Sequence, residues 1–490
     1  MKKLACGLGL VALAACGAPE DDPELMEPDV ESGRAAAIEA ELAAFAADPQ
    51  RFLNTIPRKE GDSPAFFSPE AIASGDFLKG KDSTRQDPDP KADAWQPHDW
   101  AKNLVDSYEL TRLGDMYQLK KASLAESPWS DDYWPLYAGS LAKRYADPRL
   151  PSGTDWKKIT DYVRTTPPQN PDHLSPAEKY DLLVGDAAKT MTNYNINTGK
   201  PYYDRDGKVE TWMGQCHGWA PAAFMIPRPK KVVEVTAADG TTKIKFYPAD
   251  IKALATLLWA TARAPTRFIG GRCNVKDPAK DEIGRIKDAA CRDTNAGTWH
   301  LAIVNQLGRG KRSFILDATY DYEVWNQPIY SYDYVYFNPK TNVTTNYLSR
   351  ARVAVSDFPE DKFAKYRARG TTHIVGIAMN VKWVVETRPT QSPTDGPERD
   401  ALSGARYLYT LELDKDGNII GGEWLQNAHP DFLWVPPKEA QARAYYEPTS
   451  GTWDGRSPMP QSWREAARRS SQHGQPLAAI VNKLVELARQ

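Results

Sequence analysis

Cysteine is scarce in this chain. Five cysteines occur among 490 residues, and no two have the short spacing of zinc ligands, so a cysteine zinc site is not predicted. A large excess of charge is also absent. The formal net charge is -2, which provides no long-range attraction to nucleic acid, and the short basic tract 228–231 is interpreted as a solvated turn. No internal repeat is visible, and beyond the N-terminal apolar stretch no segment is apolar enough to span a bilayer. With 41% hydrophobic residues, the chain can still bury a large core.

The N-terminus has the pattern of a secretory signal. Lys2 and Lys3 precede an apolar stretch, 4–15, which is far too short to cross a bilayer. The stretch ends in L-A-A-C at 13–16, a lipobox, which predicts cleavage before Cys16 and lipidation of that cysteine; an ordinary signal peptide with a chance cysteine is the alternative. Because Gly17 follows in place of an aspartate, we expect a bacterial envelope lipoprotein sorted to the outer membrane or cell surface.

The remaining cysteines divide into a pair and a single thiol. Cys6 falls in the signal, and Cys273 and Cys291 bracket a polar, loop-like segment, so we expect these two to form a disulfide, which an envelope location permits. The alternative is that all three remaining cysteines are reduced. Cys216 is left as the reactive thiol.

Cys216 lies in the run W-M-G-Q-C-H-G-W-A-P-A-A at 212–223, where helix-compatible residues follow the thiol. Pro221 is tolerated if the helix begins near Gly218, since the first amides of a helix have no partner to lose. Cys216 would then lie at the positive end of the helix dipole, which lowers a thiol pKa.

A second segment supplies a histidine and a carboxylate. Residues 298–307 and 313–319 are rich in strand formers and flank G-R-G-K at 308–311, which predicts a β-hairpin. In that register His300 and Asp317 are diagonal neighbours on one face, about 7 to 8 Å apart at Cα, close enough for an imidazole–carboxylate hydrogen bond. We therefore predict a Cys216, His300 and Asp317 triad.

Other interpretations accompany this triad. A single histidine in a strand is usually structural, and Asp321 and Asp250 are alternative carboxylates. His217 is interpreted as a framework residue. The acidic group Asp204, Asp206 and Glu210 is a weak calcium candidate, but a plain turn is favoured because no complete twelve-residue loop is present. Fifteen tryptophans would line a peptide groove or, more commonly, pack in the core.

The pattern along the chain predicts five segments. They are a signal at 1–15, an acidic tether and helix at 16–60, a helical, Trp-rich N-terminal lobe at 61–200, a catalytic core at 201–445 and a helical tail at 446–490. Helices are expected at 30–45, 103–124, 249–263 and 477–488, with a helix start at Ser175; strands are expected at 371–387 and 407–413, followed by a hairpin turn at 414–418.

Several motifs in order resemble the transglutaminase elicitor family. They are the Cys216 run, N-A-G-T-W-H-L-A-I-V-N-Q-L-G at 295–308, D-A-T-Y-D-Y-E-V-W-N-Q-P at 317–328, P-W-S-D-D-Y-W-P-L-Y at 128–137, P-A-E-K-Y-D at 176–181, G-G-E-W at 421–424 and H-P-D-F-L-W at 429–434. The resemblance covers about residues 95–440. The family includes oomycete enzymes with an elicitor peptide beginning V-W-N-Q-P; residues after Pro328 depart from it, so elicitor activity is not implied.

The resemblance implies an α+β fold of the papain and transglutaminase type. In such a fold an antiparallel sheet carrying His300 and Asp317 packs against a helix carrying Cys216, with additional N-terminal helices. It implies acyl transfer from glutamine side chains to lysine amines through a Cys216 thioester. In that reaction His300 would protonate the departing ammonia and Asp317 would orient His300 and stabilise its cation. The Cys216 N–H would bind the oxyanion, and the candidates for oxyanion or substrate contacts are Gln215, Trp212 and Trp219. No cofactor is required, although calcium influences such enzymes.

Two other functions fit the same residues. One is a cysteine protease, amidase or glutamine deamidase with the same triad, and the other is a non-catalytic surface protein that binds peptides. Protein or peptide substrates are expected in each case. Contact with the membrane is expected only through the N-terminal lipid.

Overall fold

The structure is a computed structural model that describes residues 29–54, 97–262, 264–271, 275, 278–287, 291, 294–319 and 323–490. Within these ranges no helix combines the length and apolar character needed to cross a bilayer. The predicted signal at 1–15 and the lipidated Cys16 lie outside the described residues.

Helices occur throughout the described chain. They are α1 Ser32–Ala47, α2 Pro49–Leu53, α3 Pro97–Leu104, α4 Trp156–Thr165, α5 Pro176–Val184, α6 Thr190–Thr198, α7 Lys200–Asp206, α8 Cys216–Met225, α9 Pro248–Thr261, α10 Ala296–Ile303, α11 Leu348–Ala351, α12 Gln461–Ser471 and α13 Ala478–Leu487.

The strands form one large antiparallel sheet and a separate hairpin. They are β1 Lys121–Ser123, β2 Val233–Thr236, β3 Lys243–Phe246, β4 Arg267–Gly270, β5 Ile315–Asp317, β6 Asn326–Phe337, β7 Thr344–Thr345, β8 Val353–Ala354, β9 His373–Val385, β10 Ala401–Leu413, β11 Ile419–Trp424 and β12 Phe432–Val435. The large sheet has the order β11-β10-β9-β6-β5-β12-β4, with β1 and β7 on β6 and β8 on β9; β2 pairs with β3.

Several helix and strand predictions are confirmed. Ser175 caps α5 in a capping box with Glu178, and α1, α9, α13, β9, β10 and the β10–β11 hairpin occur where the patterns predict them. In the hairpin turn, Asp414 Oδ1 accepts from the Asn418 amide and Gly417 has a φ of 82°, which glycine adopts without strain. The mixed helix and antiparallel-sheet class is therefore confirmed.

Two local predictions are wrong. The segment 103–124 is not one helix: it contains the end of α3, a 3₁₀ helix at Leu113–Leu119 and β1. The basic tract 228–231 is not simply solvated, because Arg228 is buried and forms ion pairs with Glu126, Asp395 and Asp400. A guanidinium that leaves water needs such carboxylate partners.

The predicted hairpin at 298–319 is also wrong. Residues Ala296–Ile303 form α10, and a turn of π-helix at Val304–Arg309 follows directly. The Asn295 side chain accepts from the Gly297 amide and so caps α10. Every residue of α10 is buried, and an apolar run without polar alternation does not distinguish a buried helix from a buried strand. His300 is therefore on a helix, and Asp317 alone is on the sheet.

The large sheet is covered on both faces. Helix α8 and helix α10 belong to two different buried clusters, and neighbouring strand residues alternate between them. Ile315, Val384 and Trp434 pack with the α8 cluster, whereas Leu316, Trp383 and Leu433 pack with the α10 cluster. Because successive side chains of a strand point to opposite faces, α8 and α10 lie on opposite sides of the sheet.

One buried cluster joins the three later segments predicted from the sequence. It contains Trp129 and Tyr180 from 61–200, Cys216 from 201–445 and Ile480 from the tail. Buried ion pairs accompany it: Lys179 Nζ lies 2.6 Å from Asp250 Oδ2, and Arg144 pairs with Glu178. Many tryptophans of the described chain are thus core residues, as the commoner interpretation holds.

Helix α8 is held close to α9 by a glycine. A Cβ built on Gly218 would clash with the Thr256 carbonyl oxygen and would lie 2.5 Å from Ala260 Cβ, both on α9. Glycine is therefore required at this crossing.

We expect Gly218→Ala to destabilise the protein by about 1 to 3 kcal/mol, because the added methyl group forces α8 and α9 apart. Urea unfolding at equilibrium measures this loss. Gly114→Ala is the matched control, since a Cβ on Gly114 would meet nothing within 4 Å. Equal stabilities of the two variants would contradict the close-packing argument.

Candidate functional site

The Cys216 thiol lies at the start of α8, as the sequence predicts. Cys216 is the first residue of the helix, two positions before the expected start, and it is 5% exposed. Pro221 therefore lies inside the helix beyond its first turn, where it removes one backbone hydrogen bond. The helix dipole and the outward-directed amides of the first turn favour negative charge on this sulfur.

The Cys216 sulfur has two polar contacts from one strand. Asn326 Nδ2 donates to Sγ over 3.5 Å, and the thiol donates to the Val324 carbonyl oxygen over 3.7 Å. Both groups belong to the start of β6 and the residues just before it. An amide donor favours the ionised sulfur, whereas a carbonyl acceptor favours the protonated sulfur.

The orientation of the Asn326 amide is fixed by a neighbouring strand. Trp434 of β12 donates its indole N–H to Asn326 Oδ1 over 2.7 Å. Sequence reasoning missed both residues as site residues. Two motifs of the family resemblance could have pointed to them. Val324 and Asn326 lie in V-W-N-Q-P, and Trp434 is the last residue of H-P-D-F-L-W.

Asp317 orders the segment that approaches the thiol. Its Oδ1 accepts from the Trp325 amide and from the Thr319 hydroxyl, each over 2.9 Å, and Asp317 pairs with Asn326 across β5 and β6. Asp317 is completely buried. The structure thus brings Asp317 and Cys216 to the same part of the sheet, with Asn326 between them.

His300 is not brought to Cys216. Its Nδ1 forms a 2.9 Å hydrogen bond with the Tyr409 hydroxyl, its Nε2 has no hydrogen-bond partner, and its ring packs against Tyr334 with centroids 5.0 Å apart. His300 belongs to α10, on the opposite face of the sheet from α8. Burial lowers the pKa of His300 to about 3, so the ring is neutral at physiological pH.

The three predicted oxyanion donors are engaged elsewhere. Gln215 Nε2 donates to Ser140 Oγ over 3.3 Å, and Trp219 Nε1 donates to the Trp129 carbonyl over 3.0 Å. Trp212 Nε1 donates to Glu210 Oε2 over 2.5 Å. Asn326 donates to the Cys216 sulfur.

The acidic calcium candidates have basic or indole partners. Asp204 pairs with Lys200 and Asp206 with Arg205 on α7, which replaces the predicted turn, and Glu210 accepts from Trp212. Within the described residues no group of three or more metal-binding side chains is present.

Of the two alternative carboxylates, one lies within the described residues. Asp250 is buried, pairs with Lys179 and accepts from the Tyr145 hydroxyl, so it holds α5 to α9. Asp321 lies outside the described residues.

Two buried carboxyl groups near this region have raised pKa values. Burial raises the pKa of Asp131 to about 8 and that of Glu386 to about 7. Asp131 accepts from the Trp134 indole, and Glu386 accepts twice from Gln327, the neighbour of Asn326 in β6. Burial is the largest cause of both shifts, because it disfavours the charged form of a carboxyl group.

Only one of the two cysteines of the predicted disulfide lies within the described residues. Cys291 is buried and disulfide-bonded. Cys273 lies outside the described residues, so the Cys273–Cys291 pair stays a prediction.

We expect His300→Gln to remove part of the acid sensitivity of folding. The pKa of His300 is lowered by burial from 6.5 to about 3, so protonation favours the unfolded chain, and stability is lost as the pH falls below 6.5. Between pH 7 and pH 5 the native protein should lose about 2 kcal/mol more stability than the variant. Urea unfolding at both pH values measures this difference. Parallel losses in the two proteins would contradict it.

Comparison with known proteins places this site in a family. No curated protein matches the chain. The crystal structure of the GP42 transglutaminase from Phytophthora sojae matches with 23% sequence identity and a TM-score of 0.49, covering 74% of this chain and 94% of that chain. The model of the transglutaminase elicitor family matches residues 104–447, which contain Cys216, His300, Asp317 and Asn326. The chain therefore belongs to the transglutaminase elicitor family.

Proposed function

We propose that this protein is a protein-glutamine γ-glutamyltransferase with Cys216 as its nucleophile. The observation that carries the proposal is the position of Cys216 as the first residue of α8, with the Asn326 amide donating to its sulfur, in a chain of the transglutaminase elicitor family. A helix N-terminus and an amide donor both stabilise a thiolate, which is the reactive form of cysteine.

The proposed reaction has two acyl transfers. The Cys216 sulfur attacks the carbonyl carbon of a glutamine side chain, a C–S bond forms, the C–N bond breaks, and the departing nitrogen takes up the thiol proton and leaves as ammonia. A lysine amine then attacks the thioester, an isopeptide bond forms and the thiol is regenerated. Attack by water at the second step gives deamidation. The substrates are therefore proteins or peptides with glutamine and lysine side chains.

The catalytic roles of His300 and Asp317 remain predictions from the sequence. Asp317 supports the proposal by ordering the segment from 319 to 326 against the thiol. His300 donates to neither Cys216 nor Asp317, and the sheet lies between α8 and α10. We therefore assign the nucleophile to Cys216 and assign no proton transfer to His300.

We expect Cys216→Ala to abolish incorporation of a fluorescent primary amine into a glutamine-containing protein. Mass spectrometry of the products distinguishes the alternatives: amine adducts indicate transfer, a gain of one mass unit indicates deamidation, and fragments indicate proteolysis. His300→Gln is the companion variant, and we expect it to keep most of its activity at pH 7. Full activity of Cys216→Ala would refute the assignment of Cys216 as the nucleophile. A loss of activity of more than about 100-fold in a stably folded His300→Gln would support the predicted triad with a catalytic His300.

A native protein that gives neither transfer nor cleavage would favour the third function, a surface protein that binds peptides. In that case Cys216 should react with iodoacetamide no faster than a thiol in the unfolded chain.

We also propose that the protein is anchored in the bacterial envelope by lipid on Cys16. The support is the lipobox at 13–16 and the positively charged start of the chain. We expect Cys16→Ser to shift the protein from the membrane fraction to a soluble or unprocessed form, because the lipid supplies the anchor. Fractionation together with metabolic labelling by a fatty-acid analogue measures this shift. Cys6→Ser, within the signal, is the matched control and should retain the label. Unchanged labelling of Cys16→Ser would contradict lipidation at this cysteine.

A further inference from the structure

We propose that Asn326 is a catalytic residue, and that its side-chain amide donates a hydrogen bond to the oxyanion formed when Cys216 attacks an acyl group. This inference rests on the proposed acyl-transfer function and adds to it the group that stabilises the developing charge. Asn326 was not among the residues that the sequence analysis selected for this role.

The first support is the position of the Asn326 nitrogen. Nδ2 lies 3.5 Å from Cys216 Sγ, and the side chain is 1% exposed. During attack the acyl carbon bonds to Sγ, so its oxygen lies two bonds from the sulfur. A donor 3.5 Å from Sγ can therefore reach that oxygen when the carbonyl group is directed towards Asn326.

The second support is that the Asn326 amide cannot rotate freely. The Trp434 indole N–H, 2.7 Å from Asn326 Oδ1, is a donor and never an acceptor, so the amide oxygen must face Trp434. The amide nitrogen must then face Cys216. An oriented dipole in a buried site stabilises new charge without reorganising, which is the condition for a large catalytic effect.

The third support is the rigidity of the surrounding backbone. Asn326 begins β6 and pairs with Asp317 of β5, and β5 pairs in turn with β12, which carries Trp434. Asp317 also accepts the Trp325 amide. Asp317 and Trp434 are thus positioning residues that act through Asn326.

The charge balance of the step identifies what Asn326 must do. As the Cys216 sulfur forms its bond to the acyl carbon, the carbonyl π electrons move to oxygen and create a full negative charge. This charge accepts a hydrogen bond from Asn326 Nδ2, and the backbone N–H of Cys216, in the first turn of α8, is the expected second donor. When the carbonyl re-forms, the electrons return and the C–N bond breaks.

The experiment compares Asn326→Ala with the native full-length protein in two reactions. In amine incorporation we expect kcat to fall by about 10² to 10³-fold with little change in KM, as for loss of one oxyanion donor. In alkylation by iodoacetamide, the thiolate displaces iodide from a saturated carbon and no oxyanion forms. Asn326 also donates to the resting sulfur, so the alkylation rate should fall as well, but by less than about tenfold and therefore by far less than kcat.

Further variants separate catalysis from folding. Asn326→Asp keeps the size of the side chain and an acceptor for Trp434 but has no amide donor, so it should lose kcat at least as much as Asn326→Ala does. Its carboxylate also disfavours the thiolate, so its kcat must fall further than its alkylation rate; this comparison decides the question if the alanine variant unfolds. Trp434→Phe keeps an aromatic ring and removes the indole N–H, and we expect a smaller kcat loss of about tenfold, with unchanged KM and a smaller loss in alkylation rate. Asn380→Ala in β9 is the matched control: its amide contacts Asp333 and Arg406, and its kcat should be native.

Each outcome has one meaning. A kcat within threefold of native in folded Asn326→Ala and Asn326→Asp would overturn the inference. Losses of equal size in acyl transfer and alkylation would also overturn it, since Asn326 would then act only on the resting thiol. If the native protein itself transfers no acyl group, the proposed function fails, and that result is distinct from a failure of Asn326.

Discussion

The alternation of side chains across the large antiparallel sheet is the constraint on which the site depends. Both faces of the sheet are covered, one by the helix of Cys216 and the other by the helix of His300. Each strand residue can serve only one of these faces. On the face of Cys216, Asn326 contacts the thiol and Trp434 contacts Asn326. On the other face, Tyr334 and Tyr409 contact His300.

The site combines a helix terminus with a rigid strand edge. The helix terminus supplies a positive environment for the sulfur, and the strand edge supplies an amide whose direction a tryptophan fixes. Asp317 takes part in this arrangement through its contacts with the Trp325 amide and the Thr319 hydroxyl. It holds the backbone that leads into β6.

Buried charge also joins the segments around the thiol. Lys179 and Asp250 are completely buried together, and Arg144 meets Glu178, which caps α5. Removing one member of such a pair leaves a charge without compensation in the core and is strongly destabilising. These pairs therefore favour one relative position of α5 and α9, and α9 in turn contacts α8 through Gly218.

The sequence by itself determined the features that depend on neighbouring residues. The capping box at Ser175, the helix that begins at Cys216 and the turn at 414–418 follow from local hydrogen bonds and backbone preferences, and each is present. The family was also recognisable, because its motifs are contiguous strings of residues. Only the tertiary structure decided that 296–303 is a helix. An apolar run that is buried on all sides lacks the alternation of polar and apolar residues that distinguishes a helix from a strand. It also decided that Asn326 meets Cys216 while His300 does not, because that choice depends on which face of the sheet each helix covers. No local pattern encodes the packing of residues so far apart in the sequence.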